Sequence, residues 1–202
     1  MTFGLVKHNN NSISAITSPG NLTQGKMTLL QTQTASNSSS IDFTSNIDST
    51  YPIYIFKFIN IHSSATSYFQ VNFRDGGSSF DATKTSTGFY AQHKEDDSET
   101  NFAYAGGVAQ STGIQRLTTG ELDSSNADDN LNGTLHLFNP SSTTFVKMYL
   151  SNINYSNNSP ASENSFIGGY CNTTTAIDGV QFTMSSGNIA TGTFKLYGIK
   201  GS

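Results

Sequence analysis

The residues able to do chemistry are few and thinly spread. GNLTQGKM, Gly20 to Met27, matches the G-x-x-x-x-G-K spacing of a phosphate loop. Such a loop needs Ser or Thr next, to hold magnesium, and must lie between a strand and a helix. Here Met27 takes that place and the residues after it alternate like a strand, so the match is read as chance. Asp123, Asn126, Asp128 and Asp129 could offer oxygens to calcium, but their spacing lacks the alternate ligand positions and central glycine of an EF-hand loop. A solvated acidic loop is the expectation. His8, His62, His93 and His136 show no metal-ligand spacing. His93 and Glu95 form H-x-E without the downstream cysteine pair of a zinc deaminase.

Nucleophilic catalysis fares no better, since G-x-S-x-G does not occur. Glycoside cleavage needs two facing carboxylates, and no carboxylate is read as lying within a strand pattern with an obvious partner. Tyr90, Tyr104 and Tyr155 could stack on sugar rings beside amides, with core or subunit contact as the other reading. The chain is therefore read as a non-enzyme with no cofactor and no metal site.

The bulk properties point the same way. The 202 residues include 14 Phe and 9 Tyr but no Trp, and only 12% are charged. Ser, Thr and Asn fill the gap, a mixture that favours strands and turns over helices. Ten Lys plus Arg with a net charge of −4 cannot make a broad basic patch, which argues against nucleic acid as a partner. Cys171 is the single cysteine, so there is no disulfide framework, and a small buried apolar role is expected. No apolar run reaches membrane-span length, and the opening MTFGLVKHNNNS lacks the layout of a signal peptide. No membrane partner is expected.

The elements that must position any site are read from period-two alternation. In PIYIFKFINI, Ile53, Ile55, Ile59 and Ile61 fall on one face with Lys57, and Tyr54, Phe56 and Phe58 on the other. Both faces are apolar, which predicts a central strand. Phe69, Val71 and Phe73 predict another strand, ending in the turn Asp75-Gly76-Gly77. TLHLFNPSSTTFVKMYLSNINY reads as a strand pair around Asn139 to Ser142. Leu135 and Leu137 are expected as one dry row, with Val146, Met148 and Leu150 as its partner and Lys147 and Tyr149 opposite. A last pair sets Val180, Phe182 and Met184 against Phe194 and Leu196, and SFIGGYCN adds a strand in which Gly168 and Gly169 mark a bulge or close packing. Residues 93–131 are read as long surface loops.

Eight to ten short strands without helical periodicity predict an all-β fold: an antiparallel two-sheet sandwich, jelly-roll-like, with an extended N-terminal arm. The expected division is an attachment arm over residues 1–30 and a β-sandwich over 31–202.

Four strings carry a resemblance: SIDFTSNIDSTY, the FRDGGSS turn, LFNPSSTT, and SSGNIATGTFKLYGI. Together they resemble a family of virion structural proteins of tailed bacteriophages, marine ones in particular, over roughly residues 34–200. LVKHNNNSISAITS is similar to the starts of phage fibre and decoration proteins. The resemblance implies a place in the virion; the single Cys and the lack of a signal peptide suit assembly in the host bacterial cytoplasm, and the arm is expected to contact capsid or tail proteins. It carries no catalytic residues. The expected function is assembly and surface display as a capsid decoration, head fibre or tail component, as a homo-oligomer, specifically a trimer. A glycan-binding adhesin on the same scaffold is the alternative, and a glycan depolymerase the remote one.

Overall fold

The computed structural model describes residues 27–200. The expected attachment arm lies almost wholly outside them. Twelve strands form: β1 (Met27–Ser38), β2 (Ser40–Phe43), β3 (Ile53–Ser63), β4 (Phe69–Arg74), β5 (Lys84–Lys94), β6 (Thr100–Ala105), β7 (Gln115–Arg116), β8 (Leu131–Phe138), β9 (Lys147–Asn157), β10 (Ala161–Cys171), β11 (Gly179–Met184) and β12 (Ile189–Ile199). No helix occurs among the described residues.

The strands make two antiparallel sheets, one ordered β1-β12-β3-β8-β9-β10-β5-β6 and one ordered β2-β11-β4-β7. From β1 to β4 the chain alternates between sheets, and it does so again from β7 to β8 and from β11 to β12. That weave is a jelly roll, with β1-β12-β3-β8 facing β2-β11-β4-β7. The hairpins β5-β6 and β9-β10 are additions that extend the larger sheet beyond the edge strand β7 of the smaller one.

The core is aromatic. Phe58 of β3 and Phe182 of β11 meet edge-on with centroids 5.0 Å apart, and Phe69 stacks on Phe182 at 5.7 Å. Phe43, Phe56 and Phe194 complete the cluster, all buried. Such pairs add about 0.5–1.5 kcal/mol each beyond the area they bury. The predicted turn at Asp75 is present, with φ of 97° at Gly76 and 76° at Gly77, values an L side chain rarely adopts. Cys171 is buried and free, as expected.

Several expectations are corrected. In β3 the inward set Tyr54, Phe56 and Phe58 is right, and β3 is an interior strand, but Ile61 is fully buried on their side rather than facing out with Ile53. The register against β8 and β12 breaks near Asn60, whose φ is 51°, and this bulge flips the parity of the rest of the strand. In β9 the predicted faces are inverted: Lys147, Tyr149, Ile153 and Tyr155 are buried, while Met148 and Leu150 are more than half exposed. Leu135 and Leu137 are buried as expected but pair with Ser151 and Tyr149. The inward set carries Tyr149, Ile153 and Tyr155 along the whole strand. The set of Met148 and Leu150 continues into Asn152 and Asn154, so a short window chose the wrong face. Residues 93–131 are not only loops, because β6 and β7 lie within them. Gly168 and Gly169 mark close packing and not a bulge. The ladders of β10 run unbroken, and a Cβ on Gly169 would sit 2.5 Å from the Tyr149 hydroxyl and 2.7 Å from the Thr85 carbonyl oxygen.

Candidate functional site

Where β5 and β6 overhang the smaller sheet, a side cleft of about 280 Å³ opens. Tyr90 comes from β5, Tyr104 and Ala105 from the edge strand β6, and Ile167 from β10. Gly106 just after β6, Arg116 of β7, and Thr118 and Thr119 of the segment after it supply the rest. Tyr104 is 70% exposed and shares the outer face with its register partner Phe89. The Tyr90 hydroxyl accepts a hydrogen bond from Asn101 Nδ2 at 3.0 Å. Thr118 Oγ1 accepts one from the Phe69 amide at 3.0 Å. The Arg116 guanidinium carbon sits 3.7 Å from the centroid of the Tyr68 ring, a stacked cation–π contact that leaves the N–H edge unspent. Among the described residues Arg116 has no carboxylate partner.

A buried polar network fixes this wall from behind. Glu163 of β10 is 2% exposed and faces inward. Its Oε1 accepts from the Tyr155 and Thr119 hydroxyls and, at 3.0 Å, from the Gly120 amide; its Oε2 accepts from Asn157 Nδ2 at 2.9 Å. The Tyr155 hydroxyl also accepts from the amides of Thr119 at 3.1 Å and Gly120 at 2.6 Å. Burial pushes the Tyr155 hydroxyl well above the usual phenol range, and the adjacent Glu163 adds to the shift. A satisfied network of this kind holds one loop conformation.

The three tyrosines singled out from sequence do not form one stacking surface: Tyr90 faces the cleft from the inner side, Tyr104 pairs with Phe89 on the outer face, and Tyr155 is buried at 2% exposure and holds the network behind the cleft. Arg116, Thr118, Thr119 and Glu163 do not stand out in the sequence. Glu163 is a carboxylate within a strand, β10, and its partners are Tyr155, Thr119, Gly120 and Asn157 rather than a second carboxylate. Its parity with Ile167 and Cys171 is the available signal, but the apolar string SFIGGYCN begins at Ser165, short of Glu163.

Other candidates stay apart. Residues 20–26 of the phosphate-loop match lie outside the described residues, and Met27 opens β1. Asn126 Nδ2 donates to Asp123 Oδ2 at 3.3 Å and to Asp129 Oδ2 at 3.2 Å, tying the acidic loop together. Among the described residues no three His, Cys, Asp or Glu gather as metal ligands. His62 Nδ1 lies 2.6 Å from the Asp129 carbonyl oxygen, His93 Nε2 lies 2.9 Å from Asp97 Oδ1, and His136 sits on the outer face of the larger sheet; His8 is outside the described residues. Desolvation, and secondarily Lys57, holds His136 below the usual imidazole range. His93, Glu95, Asp128 and Asp129 border a polar trough of about 630 Å³ with Asn130, Asn132 and Asn154.

The outer face of the larger sheet is unusual for its apolar character. Leu29, Tyr197, Ile55, His136, Leu150 and Gly168 stand in one register row across β1, β12, β3, β8, β9 and β10. Met27, Ile199, Ile53 and Phe138 flank it on one side, and Phe166 and Phe89 stack at 4.9 Å on the other. Lys57 and Lys195, paired in register, are the charged groups within these rows.

Inside the sandwich, Cys171 stands between Lys84 and Lys147 in register, all three buried. Burial brings the Lys84 amine down to about 8, lowers that of Lys147, and raises the Cys171 thiol to about 12. The amines donate to the Ala82 and Thr173 carbonyl oxygens, both at 3.0 Å.

No protein-family description, no curated protein and no solved structure matches this chain.

Proposed function

We propose that this chain is a phage virion structural protein that acts by assembly and surface display, as a capsid decoration, head fibre or tail-associated component. The observation that carries the reading is the uncovered apolar face of the larger sheet. Six register-aligned strands at about 4.8 Å and two apolar rows at about 7 Å give a footprint of roughly 29 by 14 Å, or about 400 Å², bordered by the polar row of Thr32, Lys195, Lys57, Thr134 and Asn152. A standard interface buries about 800 Å² per partner, so the band would supply the apolar centre of such an interface and the polar row beside it part of the rim. Soluble monomers seldom leave such a face bare. Its occupant in this reading is further copies of the same chain, with a trimer the expected form, in which the face meets a different surface of the next copy. A jelly roll is a common capsid architecture, which supports the reading by analogy of fold. The segment over residues 1–30 is proposed as the attachment to other virion proteins.

Light scattering on the purified full chain tests the assembly step. A trimer, or another closed oligomer, that Leu150→Asp converts to a folded monomer is the expected result. A wild-type monomer at micromolar concentration would remove the apolar face as the carrying observation. Deletion of residues 2–25 is expected to leave a folded protein that no longer joins particles.

A second reading has its own observation. The side cleft sets the Tyr90 ring and hydroxyl beside the apolar Ile167, which favours a glycan-binding role on the same scaffold.

A further inference from the structure

We infer that the open edge of β6 is a second contact between copies of this chain, an antiparallel strand pairing about a two-fold axis through Phe102. The contact is separate from the apolar face and does not rest on it. Its basis is which main-chain groups β6 leaves unpaired. In an antiparallel hairpin, alternate residues turn both N–H and C=O toward the partner strand, and the residues between turn theirs away. The Lys94 amide donates to the Glu99 carbonyl oxygen at 3.0 Å, so the even positions of β5 aim at β6. The Glu95 amide donates to the Pro160 carbonyl oxygen at 3.1 Å and the Asn172 amide to that of Thr83 at 2.7 Å, so the odd positions aim at β10. Register carries this parity along β6: Asn101 and Ala103, opposite Gln92 and Tyr90, bond to β5. Thr100, Phe102 and Tyr104 therefore direct their amides and carbonyls to the open edge. β6 is the last strand of its sheet, and no turn or loop bond reaches these groups among the described residues.

An edge of this kind is a ready template for another strand, and folded proteins blunt such edges with charge, proline, a bulge or brevity. The other three edges carry one of these devices. β1 is broken by a bulge between Leu29 and Gln31, β2 is four residues long and contains Asp42, and β7 is two residues long. β6, TNFAYA, has six residues, an unbroken register and no charge or proline. Phe102 is 73% exposed on it. The order of residues along the edge suits a second copy. A two-fold axis through Phe102 sets Phe102 against Phe102 of the second copy and Tyr104 against its Thr100. The three outward residues of each strand then meet in bonding register, with an aromatic pair at the centre. Charge selects the antiparallel direction. The β5–β6 turn carries Glu95, Asp96 and Asp97, and the two-fold lays it beside the uncharged run Ala105, Gly106 and Gly107 of the other copy. Parallel pairing would bring two acidic turns together, which repel. A six-residue strand about 20 Å long presents a strip of roughly 200 Å². That is far below the about 800 Å² per partner of a standard interface. The pairing is therefore weak between single chains and strengthens where assembly holds several edges in place.

The test is disulfide trapping in the full-length protein at about 1 mM, where a weak contact is populated, with glutathione disulfide as the oxidant. Bonded residue pairs across such a ladder have Cα atoms about 5.5 Å apart, within disulfide range. Phe102→Cys should therefore be trapped as a covalent dimer. Asn101→Cys should be trapped at least about tenfold more slowly, because its two-fold equivalent lies about 8 Å away, beyond disulfide reach. The wild type is the blank, since Cys171 is buried. Tyr104→Pro removes one outward N–H and none of the bonds to β5. Added to Phe102→Cys it should abolish trapping, while an unchanged amide spectrum of β5 shows that the hairpin is kept. Both results should hold with Leu150→Asp also present, where the apolar face no longer associates. Equal trapping of the two cysteine variants, trapping that survives Tyr104→Pro, or trapping lost with Leu150→Asp overturns the inference. No trapping of Phe102→Cys also overturns it and leaves the edge to a strand of a different protein. A wild-type monomer at micromolar concentration with trapping intact removes the apolar-face reading and leaves this one standing.

Discussion

At the residue scale, two buried groups have measurable consequences. The Tyr155 hydroxyl joins the amides of Thr119 and Gly120 to the Glu163 carboxylate. Tyr155→Phe keeps the ring and removes that junction, leaving buried donors and an acceptor short of a partner. A loss of about 2–3 kcal/mol is expected in urea unfolding, with the largest amide shifts at 118–120. Lys84 predicts a pH effect whose sign is definite. Its amine falls from 10.5 to about 8 on folding because burial disfavours the charge. Between those values the unfolded chain holds more protons than the native one, so this group's contribution to stability is lowest below pH 8 and rises with pH through the window. The stability of the wild type relative to Lys84→Met should therefore grow by up to about 3 kcal/mol from pH 8 to pH 10.5. A difference that stays flat across that range would show that the amine is not desolvated. Neither effect is legible in the sequence, because nothing in KTSTGFYAQHK says that its first lysine turns inward at the end of a sandwich.

At the element scale, β9 is the informative strand. Its burial pattern puts Tyr149 wholly inside and Leu150 outside, the reverse of what the run Val146, Met148, Leu150 suggests. Tyr149→Ala should cost about 3–5 kcal/mol by leaving a cavity against Phe73. Leu150→Ser should stay within about 1 kcal/mol in the isolated chain. Equal losses for the two would restore the opposite register. The Tyr149 hydroxyl is buried without a hydrogen-bond partner, so Tyr149→Phe is expected to be neutral or stabilising. Alternation does reveal β4, β11 and β12 with the correct faces, since each presents one clear apolar row. It fails where both rows are apolar, as at β9, or where a bulge shifts parity, as at Asn60 in β3.

At the scale of the whole molecule, the apolar band crossing the larger sheet governs what the protein can do with other copies of itself. Leu150 lies near its middle and contributes nothing to the core of its own chain. Leu150→Asp should consequently leave the thermal midpoint of the fold almost unchanged while abolishing the oligomer in light scattering. Loss of folding together with loss of assembly would instead place Leu150 in the architecture. The amino-acid sequence by itself determined the class of fold. Period-two alternation, glycine turns such as Gly76-Gly77, the scarcity of charge and the wealth of Phe all require strands packed around an aromatic core, and these are local properties of the chain. The tertiary structure alone decided which apolar residues were left over and which polar ones were brought together. Tyr90, Ile167 and Thr119 line one cleft because two inserted hairpins widen one sheet past the edge of the other. Pairing across that distance depends on strand order, which no local pattern encodes.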